Sequence, residues 1–186
     1  MKRLFLLTLW TLVSLQAQVN RYAVGSTTEL IDEKGNPWQP LPCPAGSTLH
    51  VVDSTANKPH PQYGKLCYST GLLSFEFLVQ PGVYAIRLHF IEQNTNVRIG
   101  SRLFDISIND DFIKKPFDIY KTCGFKNECQ IGSVVTDANG KLVIKLQWTK
   151  YNAVISGIEI SPLLENVVMG CAFPEVCREI LEKEPE

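Results

Sequence analysis

The sequence predicts an all-β fold, an antiparallel β-sandwich built around one core. Three observations carry that prediction. First, residues 82–120 alternate with a period of two. Tyr84, Ile86, Leu88 and Phe90 share one face, and Ala85, Arg87, His89 and Ile91 the other; further on, Phe104, Ile106 and Ile108 oppose Asp105, Ser107 and Asn109. That period, with β-branched and aromatic residues on the repeating face, marks half-buried strands. Second, the apolar runs are short and separated by turn-forming clusters, among them Asn109-Asp110-Asp111 and Asp137-Ala138-Asn139-Gly140. Asn, Asp and Gly accept positive φ or bond their own backbone. Third, 186 residues, 45% hydrophobic and 20% charged, suffice for one sizeable core.

The elements follow in order. Residues 1–17 read as a signal peptide: Lys2 and Arg3 lead into an apolar run from Leu4 to Val13, too short to span a bilayer, with cleavage after Ala17. The domain then covers 18–165. Residues 21–24 form a short first strand, and Glu33-Lys34-Gly35-Asn36-Pro37 a turn. Residues 39–64, with five prolines, are expected to be loop held by cysteines. Residues 73–79 alternate as a strand, and Pro81-Gly82 turns the chain into the central stretch. Within that stretch Phe112, Ile113, Phe117 and Ile119 supply a returning strand, and no helix is expected. Residues 122–130 are a loop, 131–135 a strand, and 137–140 a hairpin turn. In 141–148, Leu142, Ile144, Leu146 and, by the same alternation, Trp148 point inward; 153–160 closes the sheet. Residues 166–186 are a tail carrying a short C-terminal helix over 175–186.

The formal net charge of −1 offers no basic face for nucleic acid or an anionic membrane. No second apolar run reaches membrane length. Six cysteines behind an export signal, Cys43, Cys67, Cys123, Cys129, Cys171 and Cys177, argue for disulfides in an oxidising compartment. The connectivity is open. The simplest assignment closes Cys123–Cys129 and Cys171–Cys177 as local loops and leaves Cys43–Cys67 as the long-range tie. A zinc site is the alternative, but the spacings are not CxxC and His50, His60 and His89 do not cluster with them. No metal or cofactor is expected, and the protein is expected to be secreted or periplasmic. No phosphate-binding loop, dinucleotide fingerprint or HExxH helix occurs. Glycoside hydrolysis would need two carboxylates across a cleft, for which Glu92, Asp105, Asp118 and Glu159 are the candidates.

Four segments in sequence carry a family resemblance: Tyr84-x-Ile86-x-Leu88-His89-Phe90-x-Glu92; Arg102-x-Phe104-Asp105-Ile106-x-Ile108-Asn109; Phe117-Asp118-Ile119-Tyr120; and Ala153-Val154-Ile155-Ser156-Gly157-Ile158-Glu159-Ile160. Together they resemble the malectin and malectin-like carbohydrate-binding domain. The resemblance implies a jelly-roll-like sandwich, and a non-catalytic function in which loops bind an oligosaccharide, in the family a glucose-containing one. It makes Asp105, Asp118 and Glu159 structural. Tyr63 and Tyr68 fit the spacing of the family's tyrosine pair and are the first ligand-binding candidates. The loop opened by Glu92 is the second wall, where Gln93, Asn94 and Thr95 stand in place of an aromatic pair. Tyr151, in the turn between the last two strands, is the third wall. The alternative is a disulfide-stapled structural or protein–protein interaction module without sugar binding. Convergence of Tyr63, Tyr68 and Tyr151 on one concave surface would favour the carbohydrate reading.

Overall fold

The computed structural model describes residues 18–52 and 61–163. The proposed signal peptide, the C-terminal helix, and Cys171 and Cys177 lie outside the described residues. The described strands are β1 (Asn20–Val24), β2 (Leu30–Ile31), β3 (Pro37–Leu41), β4 (Thr48–Val51), β5 (Lys65–Ser69), β6 (Leu72–Leu78), β7 (Gly82–Ile91), β8 (Leu103–Ile108), β9 (Asp111–Phe117), β10 (Glu128–Ala138), β11 (Lys141–Lys150), β12 (Ala153–Ile155) and β13 (Gly157–Leu163). A 3₁₀ turn (Pro61–Tyr63) precedes β5, and one short helix, α1 (Ile119–Cys123), follows β9.

Two sheets make the sandwich. One has the order β10-β7-β13-β1-β3-β2, the other β6-β11-β8-β9. The period of two explains the core between them. Tyr84, Ile86, Leu88 and Phe90 of β7 are buried with Ile158 and Ile160 of β13. They meet Leu73, Phe75 and Phe77 of β6, Phe104, Ile106 and Ile108 of β8, and Leu142, Ile144 and Leu146 of β11. Phe90, Phe104 and Phe117 pack as a triangle with ring centroids 5.1 to 5.9 Å apart. Removing any one of these buried rings would cost about 3–5 kcal/mol. The strand pairs are antiparallel except β1 with β3, which run parallel.

A third sheet, β12-β5-β4, caps one end of the sandwich. Part of the stretch expected as loop is strand: β3 overlaps residues 39–64 and β4 lies within them. Pairing to neighbours outweighs the low apolar content of this segment. Cys43–Cys67 ties it to β5, and Cys123–Cys129 ties α1 to β10, both with Cα atoms 5.5 Å apart. Gly25, at φ +83°, fits beneath this cap; a Cβ there would stand 2.7 Å from Leu49 Cδ1.

Four local expectations change. Ile119 and Tyr120 are helical rather than strand, because Asp118 caps the helix by accepting from the Lys121 N–H at 2.9 Å. Asp137–Gly140 does not close a hairpin; like the expected turn at Pro81-Gly82, it carries the chain from one sheet to the other, since β6 and β11 pair together while β7 and β10 pair together. Asn109-Asp110 makes a tight hairpin, β8–β9, with φ of 50° and 72°. Trp148 is 40% exposed rather than inward: it still pairs with Phe104, but residues 147–150 at the end of β11 are all exposed. His89 and Ile91 are also buried, so β7 is covered on both faces through its second half.

Candidate functional site

At the capped end the structure forms a cleft of about 350 Å³. Its floor follows from strand pairing. Leu66 and Tyr68 share one face of β5, while Cys67 between them turns away to its disulfide. In register, His50 of β4 lies opposite Leu66, and Val154 of β12 lies opposite Tyr68. All four line the cleft. The walls are the end of β7 and the chain after it, Ile91 to Thr95, and the β11–β12 turn with Tyr151 and Asn152.

A buried ion pair holds these walls. Arg102 donates from Nε to Glu92 Oε2 at 2.6 Å and from Nη2 to Oε1 at 3.2 Å. The two residues are 5% and 1% exposed. Glu92 also accepts from the Asn94 N–H at 2.9 Å, which shapes the loop. Arg102 Nη1 donates to the Asn152 carbonyl at 3.3 Å, and its guanidinium lies 5.0 Å from the centre of the Tyr151 ring. One arginine thereby fixes both walls. Tyr151 adopts φ 69°, a left-handed turn position, and stays half exposed. Its hydroxyl accepts from Asn94 Nδ2 at 2.8 Å across the mouth. Asn152 Oδ1 is buried at the cleft without a hydrogen-bond partner, an acceptor available to a ligand donor.

Of the residues expected to bind ligand, Tyr68, Gln93, Asn94 and Tyr151 line this cleft together, as does Glu92. Glu92 is not a free contact, however: both carboxylate oxygens are held by Arg102 and the Asn94 N–H. It shapes the site rather than facing a ligand. Tyr63 is a correction. It is 0% exposed and lies behind the cleft, its hydroxyl 2.9 Å from His89 Nδ1. A phenol in that position needs an internal partner, and His89 supplies one. The three tyrosines therefore do not converge; two of them do. His50, Arg102 and Asn152 were not singled out as site residues. His50 lay in a proline-rich stretch without periodicity, Arg102 stood inside a segment already read for the fold, and Asn152 ended the turn in which Tyr151 was preferred.

The fold and cleft define a β-sandwich module with a loop-walled site at one end. The malectin domain family matches residues 53–162, and the chain belongs to that family. No curated protein sequence matches it. Among solved structures, the plant receptor-like kinase FER superposes with a TM-score of 0.70 at 16% identity, over 81% of this chain and 43% of that one. The ANX2 ectodomain from Arabidopsis thaliana superposes with 0.69 at 19% identity, over 80% and 43%. Bacteroides uniformis beta-glucuronidase superposes with 0.68 at 19% identity, over 79% of this chain and 18% of that one. The chain thus spans less than half of each of these proteins, and at such identities the likeness concerns the fold.

Proposed function

We propose that this protein is a non-catalytic, carbohydrate-binding malectin module that works outside the cytoplasm, and that the cleft takes an oligosaccharide. The observation that carries the reading is the set of side chains gathered there. Tyr68 and Tyr151 offer aromatic faces for the C–H patches of a sugar ring. Gln93, Asn94 and Asn152 offer planar amides, and His50 an imidazole, for its hydroxyls. Among the described residues Glu92 is the one carboxylate lining the cleft, and its oxygens are engaged by Arg102 and Asn94. A glycosidase would need two available acids. Two disulfides, and the export-type leader of residues 1–17, support a site of action in an oxidising compartment. No described helix is long and apolar enough to cross a membrane.

The test is a glycan-array screen of the exported protein followed by calorimetry, with glucose-containing oligosaccharides first. Tyr68→Ala and Tyr151→Ala should each weaken binding at least about tenfold, the loss of roughly one stacking contact, with the circular dichroism unchanged. Silence across the array from a folded protein would overturn the carbohydrate reading and turn the search to a protein partner.

A further inference from the structure

We propose that the outer face of the six-stranded sheet carries a second, separate site for a small polyhydroxylated molecule of monosaccharide size. The site is a polar cavity of about 210 Å³. Strand alternation builds its floor, because Arg87, His89, Gln130 and Glu159 each sit between two buried core neighbours. Two rows cross the sheet. Arg21, Glu159 and Arg87 stand in register on β1, β13 and β7. Next to them, Gln130, His89 and Gly157 stand in register on β10, β7 and β13. Gly157 leaves room for Trp38, whose ring would meet a Cβ there at 3.0 Å. The β2–β3 turn, with Asp32, Lys34 and Asn36, and the 3₁₀ turn, with Gln62, raise the walls.

Most of this cavity's polar groups are already satisfied. Glu159 accepts from Arg21 Nε at 3.1 Å, Arg87 Nη1 at 3.5 Å and His89 Nε2 at 2.8 Å. Asp32 accepts from the Lys34 and Asn36 N–H groups, from Asn36 Nδ2 and from Trp38 Nε1. Burial pushes its carboxyl up, but these bonds outweigh it and hold the pKa down to about 2. The exception is Gln62. Its side chain is 6% exposed, lines the cavity, and its Oε1 is buried with no hydrogen-bond partner. Leaving such an acceptor unmet costs about 1–3 kcal/mol, and a ligand that donates to it would recover that energy.

The unmet group selects the ligand chemistry. Gln62 Oε1 requires a donor, which a fully ionised anion lacks. Arg21 and the exposed Lys34 at the rim require acceptors. A hydroxyl serves as both, and several hydroxyls on one compact ring match amides, guanidinium and ammonium together. The volume lies below the usual range for drug-sized ligands, which limits the occupant to one small ring. This site shares no lining residue with the cleft, so it stands or falls independently of the function proposed there.

The experiment is a nitrogen–proton NMR titration of the full exported chain with glucose, galactose, mannose and myo-inositol, and with inorganic phosphate. The Trp38 indole N–H and the Gln62 side-chain amide report this cavity; the Asn94 side-chain amide reports the cleft in the same spectra. At least one polyol should shift the Trp38 and Gln62 signals saturably, with a millimolar dissociation constant. Gln62→Leu should fold at least as stably, since it removes an unmet acceptor, and should weaken binding about tenfold, equivalent to 1.4 kcal/mol. Lys34→Ala, on the surface, should weaken it about threefold. The proposal is overturned if no polyol up to about 100 mM moves both signals saturably, if both variants bind like the parent, or if phosphate alone saturates them.

Discussion

Replacing Arg102 with methionine tests how the cleft is held. In the native protein Glu92 is 1% exposed and takes two hydrogen bonds from Arg102, at 2.6 and 3.2 Å, plus one from the Asn94 N–H. Arg102→Met leaves that carboxylate buried with a single donor, and also frees the Asn152 carbonyl and the underside of the Tyr151 ring. Orphaning one member of a buried pair costs about 3–5 kcal/mol. In a chain of this size each kcal/mol lowers Tm by about 2–4 °C, so the midpoint should fall by about 6–20 °C. Urea unfolding followed by circular dichroism measures the loss. The paired variant Glu92→Met with Arg102→Met should recover most of it, because two apolar side chains can fill the volume without a buried charge. A loss below about 1 kcal/mol for Arg102→Met would show the pair to be solvated and worth no more than a surface bridge. A double variant no better than the single one would refute the reasoning equally.

Three further outcomes are expected. Asp118→Ala should destabilise by about 1–2 kcal/mol, since Asp118 caps α1 and also accepts the Gly100 N–H at 2.6 Å; Asp118→Asn should retain most of that in a thermal melt. Replacing Cys43 and Cys67 together by serine removes a tie across a sequence separation of 24 and should cost about 3 kcal/mol in urea unfolding, less than reducing the parent with dithiothreitol, which also opens Cys123–Cys129. Burial lowers the His89 pKa below the ordinary 6.5, although Glu159 opposes the shift. Below that ordinary value the unfolded chain takes up a proton that the folded chain refuses, so stability should fall as pH drops from 7 to 5. The slope should approach about 1.4 kcal/mol per pH unit. Urea midpoints across that window measure it, and His89→Gln should flatten the slope; a parent protein equally stable throughout would contradict the burial of a neutral imidazole.

Much of the fold was legible in the chain itself. Alternation in residues 84–90, 104–108 and 142–146 identified the strands that form the core, because a half-buried strand must repeat every second residue wherever it sits. Asn109-Asp110 announced its hairpin, because left-handed dihedrals are a local property of those side chains. The spacing of Cys123 and Cys129 announced a local loop. Tyr68, Gln93, Asn94 and Tyr151 could be named for a common site through the family pattern they sit in.

What the tertiary structure decided was everything that depends on which strands become neighbours. Whether a turn closes a hairpin or crosses between sheets depends on the partner of each flanking strand. The Asp137–Gly140 turn carries the same residues in either case. Tyr63 and Tyr68 look alike in the chain; one is sealed against His89 and the other lines a cleft, because burial is set by what packs against each residue in the fold. Trp148 was read inward from a local period that continues past the end of the core. Glu92 and Arg102 stand at the two ends of the β7–β8 connection, 10 residues apart, and only the path of that connection between the two sheets made them a single buried unit. The outer-face cavity follows the same logic: Arg21, Gln62, Arg87 and Glu159 come from four distant segments. Periodicity and turn chemistry act over a few residues and can be read in order, whereas sites are made by non-local adjacency, which a linear chain does not display.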